Sequence, residues 1–278
     1  MAWRLPFLRR SAPTVAVVRL YGVIGSGGRF RGGLSLPGVA GAIEAAFSLK
    51  GVRAVALDIN SPGGSPVQSA LIYRRIRALA AEKKIPVFAF AQDVAASGGY
   101  WLLCAGDEIF ADENSIVGSI GVVSGGFGLG GLIARLGIER RLHTSGTSKA
   151  FLDPFLPEKE EDLARLKALQ NEIHDSFKAL VRERRQGKLK GDEAVLFSGE
   201  FWTGRRALDL GLIDGLGDVR STMRARFGDK VHFRVLGGEQ GWLRRRLGLQ
   251  AGESPVQGLG EAALAAVESR ALWDRYGL

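Results

Sequence analysis

Apolar and β-branched runs recur along the chain, separated by segments whose apolar positions are spaced by three and four. Thr14 to Val23 (TVAVVRLYGV) and Val52 to Ile59 (VRAVALDI) are nearly continuous, as strands buried on both faces are. Between them, Val39 to Phe47 reads as a short helix. Pro66 to Lys83 predicts a longer helix, with Val67, Ala70, Leu71, Ile76 and Leu79 as its apolar positions. A third strand is expected over Pro86 to Phe90, a helix over Gly98 to Ala105, and short strands over Glu108 to Ala111 and Val117 to Val123. This alternation predicts an α/β fold, a core of parallel strands flanked by helices.

The second half changes character. Pro157 is expected to open a long amphipathic helix reaching about Arg185, since Pro suits a first helical turn. Leu163, Leu166, Leu169, Ile173, Phe177 and Leu180 form one apolar stripe, suited to packing on the sheet or on another subunit. Gly191 to Val219 reads as a compact helix-turn region and Val231 to Val235 as a final strand. After Gly237 the fold signal weakens: a basic segment at Trp242 to Leu249, a Gly/Ser/Pro stretch, then a helix from about Leu259 to Arg275. The expected organisation is a flexible basic tail over 1–13, one domain over 14–236 and a partly helical C-terminal extension over 237–278.

Composition narrows the classes. With 278 residues, 46% hydrophobic and 24% charged, the chain can bury a sizeable core. Its 39 glycines and 9 prolines fit neither a collagen-like nor a disordered chain. The net charge is +9, with arginines clustered at Arg4/Arg9/Arg10, Arg182/Arg184/Arg185 and Arg244/Arg245/Arg246. No aromatic-interleaved β-face, zinc ligand set or helix-turn-helix pattern accompanies them, so no nucleic-acid partner is expected. A dispersed positive charge favours anionic surfaces, and Trp3 and Phe7 with the nearby arginines suit peripheral contact with an anionic membrane. No run approaches the ~18 apolar residues of a membrane span, and the N-terminus is too short and charged for a signal peptide core. The expectation is a cytoplasmic protein, free or peripheral to the membrane.

The lone Cys104 cannot form an internal disulfide and lies in the apolar stretch Tyr100 to Ala105, where a buried thiol is expected rather than a nucleophile. His143, His174 and His232 are too scattered to suggest a metal site, and no cofactor is expected.

Two residues carry the candidate chemistry. Ser97 sits in Asp93-Val-Ala-Ala-Ser-Gly-Gly-Tyr100, between two apolar runs; Lys149 follows 52 positions later, in the loop-like Ser145-Gly-Thr-Ser-Lys149. No histidine lies within about twenty residues of Ser97. A nucleophilic Ser97 would therefore need another base, and Lys149 is the candidate. A free lysine is charged at neutral pH and cannot accept a proton; burial disfavours the ammonium, so this pairing requires a dry surrounding for the amine. Ser119, in Val117-Gly-Ser-Ile-Gly121, is placed to orient it. The plain alternatives are that Ser97 caps the following helix and that Lys149 is a solvated surface lysine.

Glycine tracts accompany both turns. Asp58-Ile-Asn-Ser-Pro-Gly-Gly64 follows a strand and precedes a helix, as does Ser97-Gly98-Gly99. The N–H groups of Gly63 and Gly98 are candidate donors to an oxyanion. A simple Ser-Pro-Gly-Gly turn is the competing account of the first tract.

Together, Ser61-Pro-Gly-Gly64, Ala96-Ser-Gly-Gly-Tyr100, Gly118-Ser-Ile-Gly121 and a lysine about fifty residues after the serine resemble the signal peptide peptidase A family of Ser-Lys peptidases, within the Clp protease/crotonase superfamily. Phe201 to Gly217 (FWTGRRALDLGLIDGLG) also resembles a family stretch, and the likeness runs from about Val15 to Asp218. The resemblance implies a Clp/crotonase-like domain that hydrolyses peptides such as remnant signal peptides, favouring small or aliphatic side chains. It assigns Ser97 as nucleophile, Lys149 as general base and Ser119 as the residue holding the lysine amine. It further implies a homo-oligomer in which serine and lysine come from neighbouring subunits. Many members carry an N-terminal transmembrane anchor, and none is expected here; the chain also has Ala150-Phe-Leu-Asp-Pro154 where a glycine-containing turn often follows the lysine.

Three other readings compete. A Clp-type Ser-His-Asp peptidase would carry its histidine about twenty-five residues after the serine, where this chain has Val122 and no histidine; His143 is the first after Ser97. A crotonase-like acyl-CoA enzyme would keep the oxyanion glycines and dispense with the nucleophile. A catalytically degenerate membrane-organising scaffold would need neither Ser97 nor Lys149.

Overall fold

A computed structural model describes residues 12–25, 33–146, 148–237, 267 and 270–277. The expected N-terminal tail, most of the glycine-rich stretch before Gly33, the basic segment at 242–249 and most of the C-terminal helix lie outside the described residues, apart from its end at 270–277.

The core is a predominantly parallel sheet. Strands β1 (Thr14–Tyr21), β2 (Val52–Ser61), β3 (Val87–Ala96), β5 (Ile116–Gly118), β6 (Phe201–Thr203) and β8 (His232–Leu236) run in the order β6-β5-β3-β2-β1-β8. Two more, β4 (Glu108–Ala111) and β7 (Gly215–Leu216), branch from β3. One pairing, β5 with β6, is antiparallel. The continuous apolar runs of β1 and β2 are buried on both faces, as their pattern predicts. Ala16, Val18, Leu20, Val55 and Leu57 pack under helices α1 (Leu36–Ser48), α2 (Pro66–Lys83) and α3 (Gly98–Leu103). Val15, Val17, Ala54 and Ala56 face Val219 and Met223 of α8 (Val219–Phe227).

Helix α2 spans the predicted residues. Ser65 accepts from the Gln68 N–H at 3.3 Å, Pro66 occupies the first turn, and Lys84 ends the helix at φ 56°. Four expectations need correction. Strand β3 does not stop at Phe90 but runs to Ala96, because the polar Gln92 and Asp93 are bonded to side chains of the neighbouring strand β2. Gln92 donates to buried Asp58, Asn60 Nδ2 donates to Asp93 at 2.8 Å, and the Val94 N–H donates to Asn60 Oδ1 at 3.1 Å. Strand β5 ends at Gly118 rather than Val123, since Gly118 and Ser119 both take positive φ, 110° and 54°. The long helix α5 (Glu160–Arg184) starts three residues after Pro157, with Lys159 as N-cap and Glu160, Glu161 and Asp162 in the first turn. The region from Gly191 holds not only α6 (Glu193–Leu196) and α7 (Gly204–Asp209) but also the short strands β6 and β7, which are too brief to leave a periodic pattern.

The two halves of α5 differ. Its C-terminal half is embedded: Phe177 stacks on Trp101 of α3 at 4.7 Å, and Leu180 and Val181 are buried. Arg185, just past the helix, is 1% exposed; it donates twice to the Gly211 carbonyl and pairs with Asp214 at 2.7 Å. The N-terminal half of the stripe is uncovered, with Leu163, Leu169 and Ile173 exposed. Before it, residues 122–158 hold one six-residue helix, α4 (Gly130–Arg135), and expose Val123, Phe127, Leu132, Leu136, Ile138, Leu142 and Leu156.

Candidate active site

Strand β3 delivers Ser97. Its last residues, Val94 to Ala96, pair with Ile116 to Gly118 of β5, and the Ser97 N–H donates to the Gly118 carbonyl at 2.8 Å. The chain then turns sharply into α3. Ser97 takes φ 52° and ψ −120°, a conformation that costs an L-residue about 1–3 kcal/mol. The turn holds because β5 and the glycines around it over-determine it. Although Ser97 occupies the N-cap position, its side chain makes no capping hydrogen bond. The alternative of a simple capping serine is therefore not what the structure shows. Ser97 is half-buried, with its hydroxyl raised on a strained strand-to-helix elbow, the arrangement that presents a nucleophile.

The two glycine tracts meet at this turn. A Cβ on Gly63 would lie 2.7 Å from Ser97 Cβ and 3.0 Å from Gly98 N, so only glycine fits. A Cβ on Gly98 would lie 2.5 Å from Ser69 Oγ. The Ser61 to Gly64 segment is also not a free turn: Ile24 N–H donates to Gly63 O at 2.8 Å, and Ser65 N–H donates to Ile24 O at 2.7 Å. The Gly63 N–H meets Ser61 Oγ at a long 3.2 Å. Gly98 opens α3, so its N–H belongs to the first turn, where helices leave donors without an intrahelical acceptor.

Ser119 lies beside Ser97 across the β3–β5 pairing. It is 4% exposed and held at φ 54°. Its N–H donates to Glu200 O at 2.6 Å, and His174 Nε2 on α5 meets the carbonyl of the next residue, Ile120, at 3.1 Å. Sequence reasoning considers His174 only as a metal ligand, for which the three histidines are too scattered; the packing of α5 gives it a main-chain partner 54 positions away.

Lys149 stands elsewhere. It follows a turn, with its N–H donating to Gly146 O at 3.3 Å, and it is exposed. Neighbouring Ser148 accepts from Arg165 of α5. No hydrogen bond joins Lys149 to Ser97 or Ser119 among the described residues. The expectation of a dry amine is thus not met within one copy of the chain. Helix α5 explains the separation: Arg165, which holds the lysine loop, and His174, which holds the Ser119 loop, are nine residues and about 14 Å apart along the axis.

The remaining candidates are resolved. Cys104 is fully buried, and desolvation pushes its thiol up to about 12, so it holds no thiolate at neutral pH. His143 is exposed in the 122–158 segment. Among the described residues no group of His, Cys, Asp and Glu could hold a metal ion, and no helix is long and apolar enough to cross a membrane.

Comparison with known proteins places this architecture. The model of peptidase family S49 matches residues 80–228, a span that includes Ser97, Ser119 and Lys149. A candidate protease of Synechocystis sp., slr0021, is 31% identical over 268 residues, covering 92% of this chain and 89% of that protein. The chloroplastic serine protease SPPA of Arabidopsis thaliana is 33% identical over 216 residues, 74% of this chain and 31% of its own length. A Brucella abortus protein named Na(+)/H(+) antiporter NhaA is 55% identical over 272 residues; they are 95% of this chain but only 37% of that protein. The chain therefore spans about a third of several relatives it matches. Among solved structures, the 1510-N membrane-bound stomatin-specific protease in complex with a substrate peptide superposes with a TM-score of 0.51 at 16% identity, covering 85% of this chain and 97% of that one. That likeness establishes the shared fold.

Proposed function

We propose, from the premise that this chain belongs to peptidase family S49, that it is a serine endopeptidase working through a Ser97–Lys149 dyad completed between subunits. The observation that carries the reading is Ser97 itself: an uncapped hydroxyl on a strained elbow, with Gly63 and Gly98 packed against it. The exposed apolar residues of the 122–158 segment support association with a second copy, because they lie on the segment that bears Lys149 and the described residues leave them uncovered.

In the mechanism, a neighbouring copy brings its Lys149 amine to Ser97, and covering the segment removes water from it. Ser119 orients the amine. The uncharged amine takes the Ser97 Oγ proton as Oγ attacks the peptide carbonyl. The Gly98 N–H and the Gly63 N–H, turned from its long bond to Ser61, stabilise the oxyanion. Lys149 then protonates the leaving amine, and water activated by the same base releases the acyl group.

Peptides in or near membranes are the proposed substrates, including remnant signal peptides. The support is that a relative in Enterococcus faecium, 33% identical over 60% of this chain, carries the signal peptide peptidase SppA name. A fluorophosphonate probe tests the reading. Wild type should be labelled and Ser97→Ala should not. Equal labelling of both would favour the acyl-CoA or scaffold alternatives, and protection by coenzyme A in a thermal shift assay would single out the former.

A further inference from the structure

The Gly118 to Ile120 loop is held at three successive points. The Gly118 carbonyl accepts from the Ser97 N–H at 2.8 Å, the Ser119 N–H donates to Glu200 O at 2.6 Å, and the Ile120 carbonyl meets His174 Nε2 at 3.1 Å. The first two contacts come from neighbouring segments of the sheet region. The third comes from α5, a separate layer. Since a carbonyl only accepts, Nε2 must carry the proton, and it does so in both the neutral and the protonated imidazole.

Ser119 needs such a hold. It sits at φ 54°, a conformation that a non-glycine residue keeps only where its surroundings over-determine it. Ile120 is fully buried, so its carbonyl would be costly to leave unpaired. Without the α5 contact, residue 120 has a reason to rotate, and the neighbouring Ser119 is free to relax toward negative φ. Its side chain would then turn away from the place where a lysine amine is to be received.

We propose that His174 is a positioning residue of this peptidase: through the Ile120 carbonyl it holds Ser119 in the strained conformation that receives the lysine amine. The role rests on the Ser-Lys reading given above. His174 Nε2 is engaged with a main-chain acceptor rather than with Ser97.

The test is steady-state hydrolysis of a chromogenic peptide by the full chain, with His174→Leu, His174→Gln, Ser119→Ala and the double variant Ser119→Ala/His174→Leu. His174→Leu should lower kcat by about 10- to 100-fold with KM nearly unchanged, as a small misplacement of a catalytic partner does. His174→Gln, whose amide N–H can reach the same carbonyl, should recover most of that loss. In the Ser119→Ala background, His174→Leu should cost less than about threefold, because the residue it positions is already gone. Additive losses in the double variant would overturn the proposal, as would wild-type turnover in Ser119→Ala. A His174→Gln variant that folds as wild type yet is no more active than His174→Leu would do the same. The parent reading is checked separately: an active Lys149→Ala sinks the dyad whatever the His174 series shows.

Discussion

The proposed nucleophile and its proposed base sit in two very different parts of the molecule. Around Ser97 everything is determined within one chain: the strand pairing, the elbow at φ 52°, and glycines that leave no room for a methyl group. Around Lys149 little is. Its segment, 122–158, has one helix of six residues, exposes seven large apolar side chains and leaves the lysine exposed. A rigid half-site beside an unfinished one fits the proposal of a catalytic unit shared between copies. It also separates chemistry from assembly, so each can be disturbed without the other.

The sharpest way to break this contrast is at the dyad. Ser97→Ala and Lys149→Ala should each reduce peptide hydrolysis by about 10⁴-fold or more. Mixing the two inactive variants should restore partial activity, because mixed oligomers pair an intact serine from one copy with an intact lysine from the other. Substantial turnover by Lys149→Ala alone would remove the lysine from the mechanism, and failure of the mixture would place both groups in one chain.

Next in size is the wall of the rigid half. Gly63→Ala forces a Cβ to within 2.7 Å of Ser97 Cβ at a φ of 104°, so activity should fall by about 10²- to 10³-fold. Wild-type kinetics for this variant would mean that the Gly63 backbone is not part of the site. Charging the other half should act through assembly instead. The double variant Leu136→Asp/Ile138→Asp should lower activity at least about 10²-fold and shift the sedimentation mass toward the monomer. Folding stability should change by less than about 0.5 kcal/mol, since both side chains are exposed. A large loss of stability would show that the segment is packed by its own chain.

The smallest effects on the chemistry lie in the frame behind the rigid half. Asp214→Ala strips the partner from buried Arg185 and should cost about 3–5 kcal/mol of stability by denaturant unfolding, with the dyad intact. Burial by itself would raise the Asp214 carboxyl, but hydrogen bonds and charge from Arg185 and Lys188 outweigh it and hold the group below its ordinary value. Its contribution to stability is therefore present above the unfolded value of about 3.9 and is lost as pH falls through the lower folded value. The unfolding free energy of Asp214→Asn, measured in denaturant, should be less sensitive to pH below about 4 than that of wild type.

Much of the fold was legible before any coordinates. The buried runs of β1 and β2 announce themselves by composition, and α2 by its Ser-Pro start and apolar spacing, because each reports a local environment. The serine elbow was legible too, since glycines crowd wherever backbone approaches backbone closely. Strand β3 past Phe90 was not. Gln92 and Asp93 look like a stop until Asp58 and Asn60, more than thirty residues earlier, are seen to bond them. The short strands β6 and β7 exist only through their partners, at two or three residues each.

By itself, then, the sequence determined which segments are buried, where the chain must turn, and which serine, lysine and glycines are candidates for chemistry. Only the tertiary structure decided that His174 meets the loop of Ser119 and that Lys149 is exposed, beside a Ser148 held by Arg165, about 14 Å before His174 along α5. Periodicity and composition record how each residue relates to its near neighbours. The distance between groups 50 or more positions apart is set by how helices stack on the sheet, and no local pattern carries it.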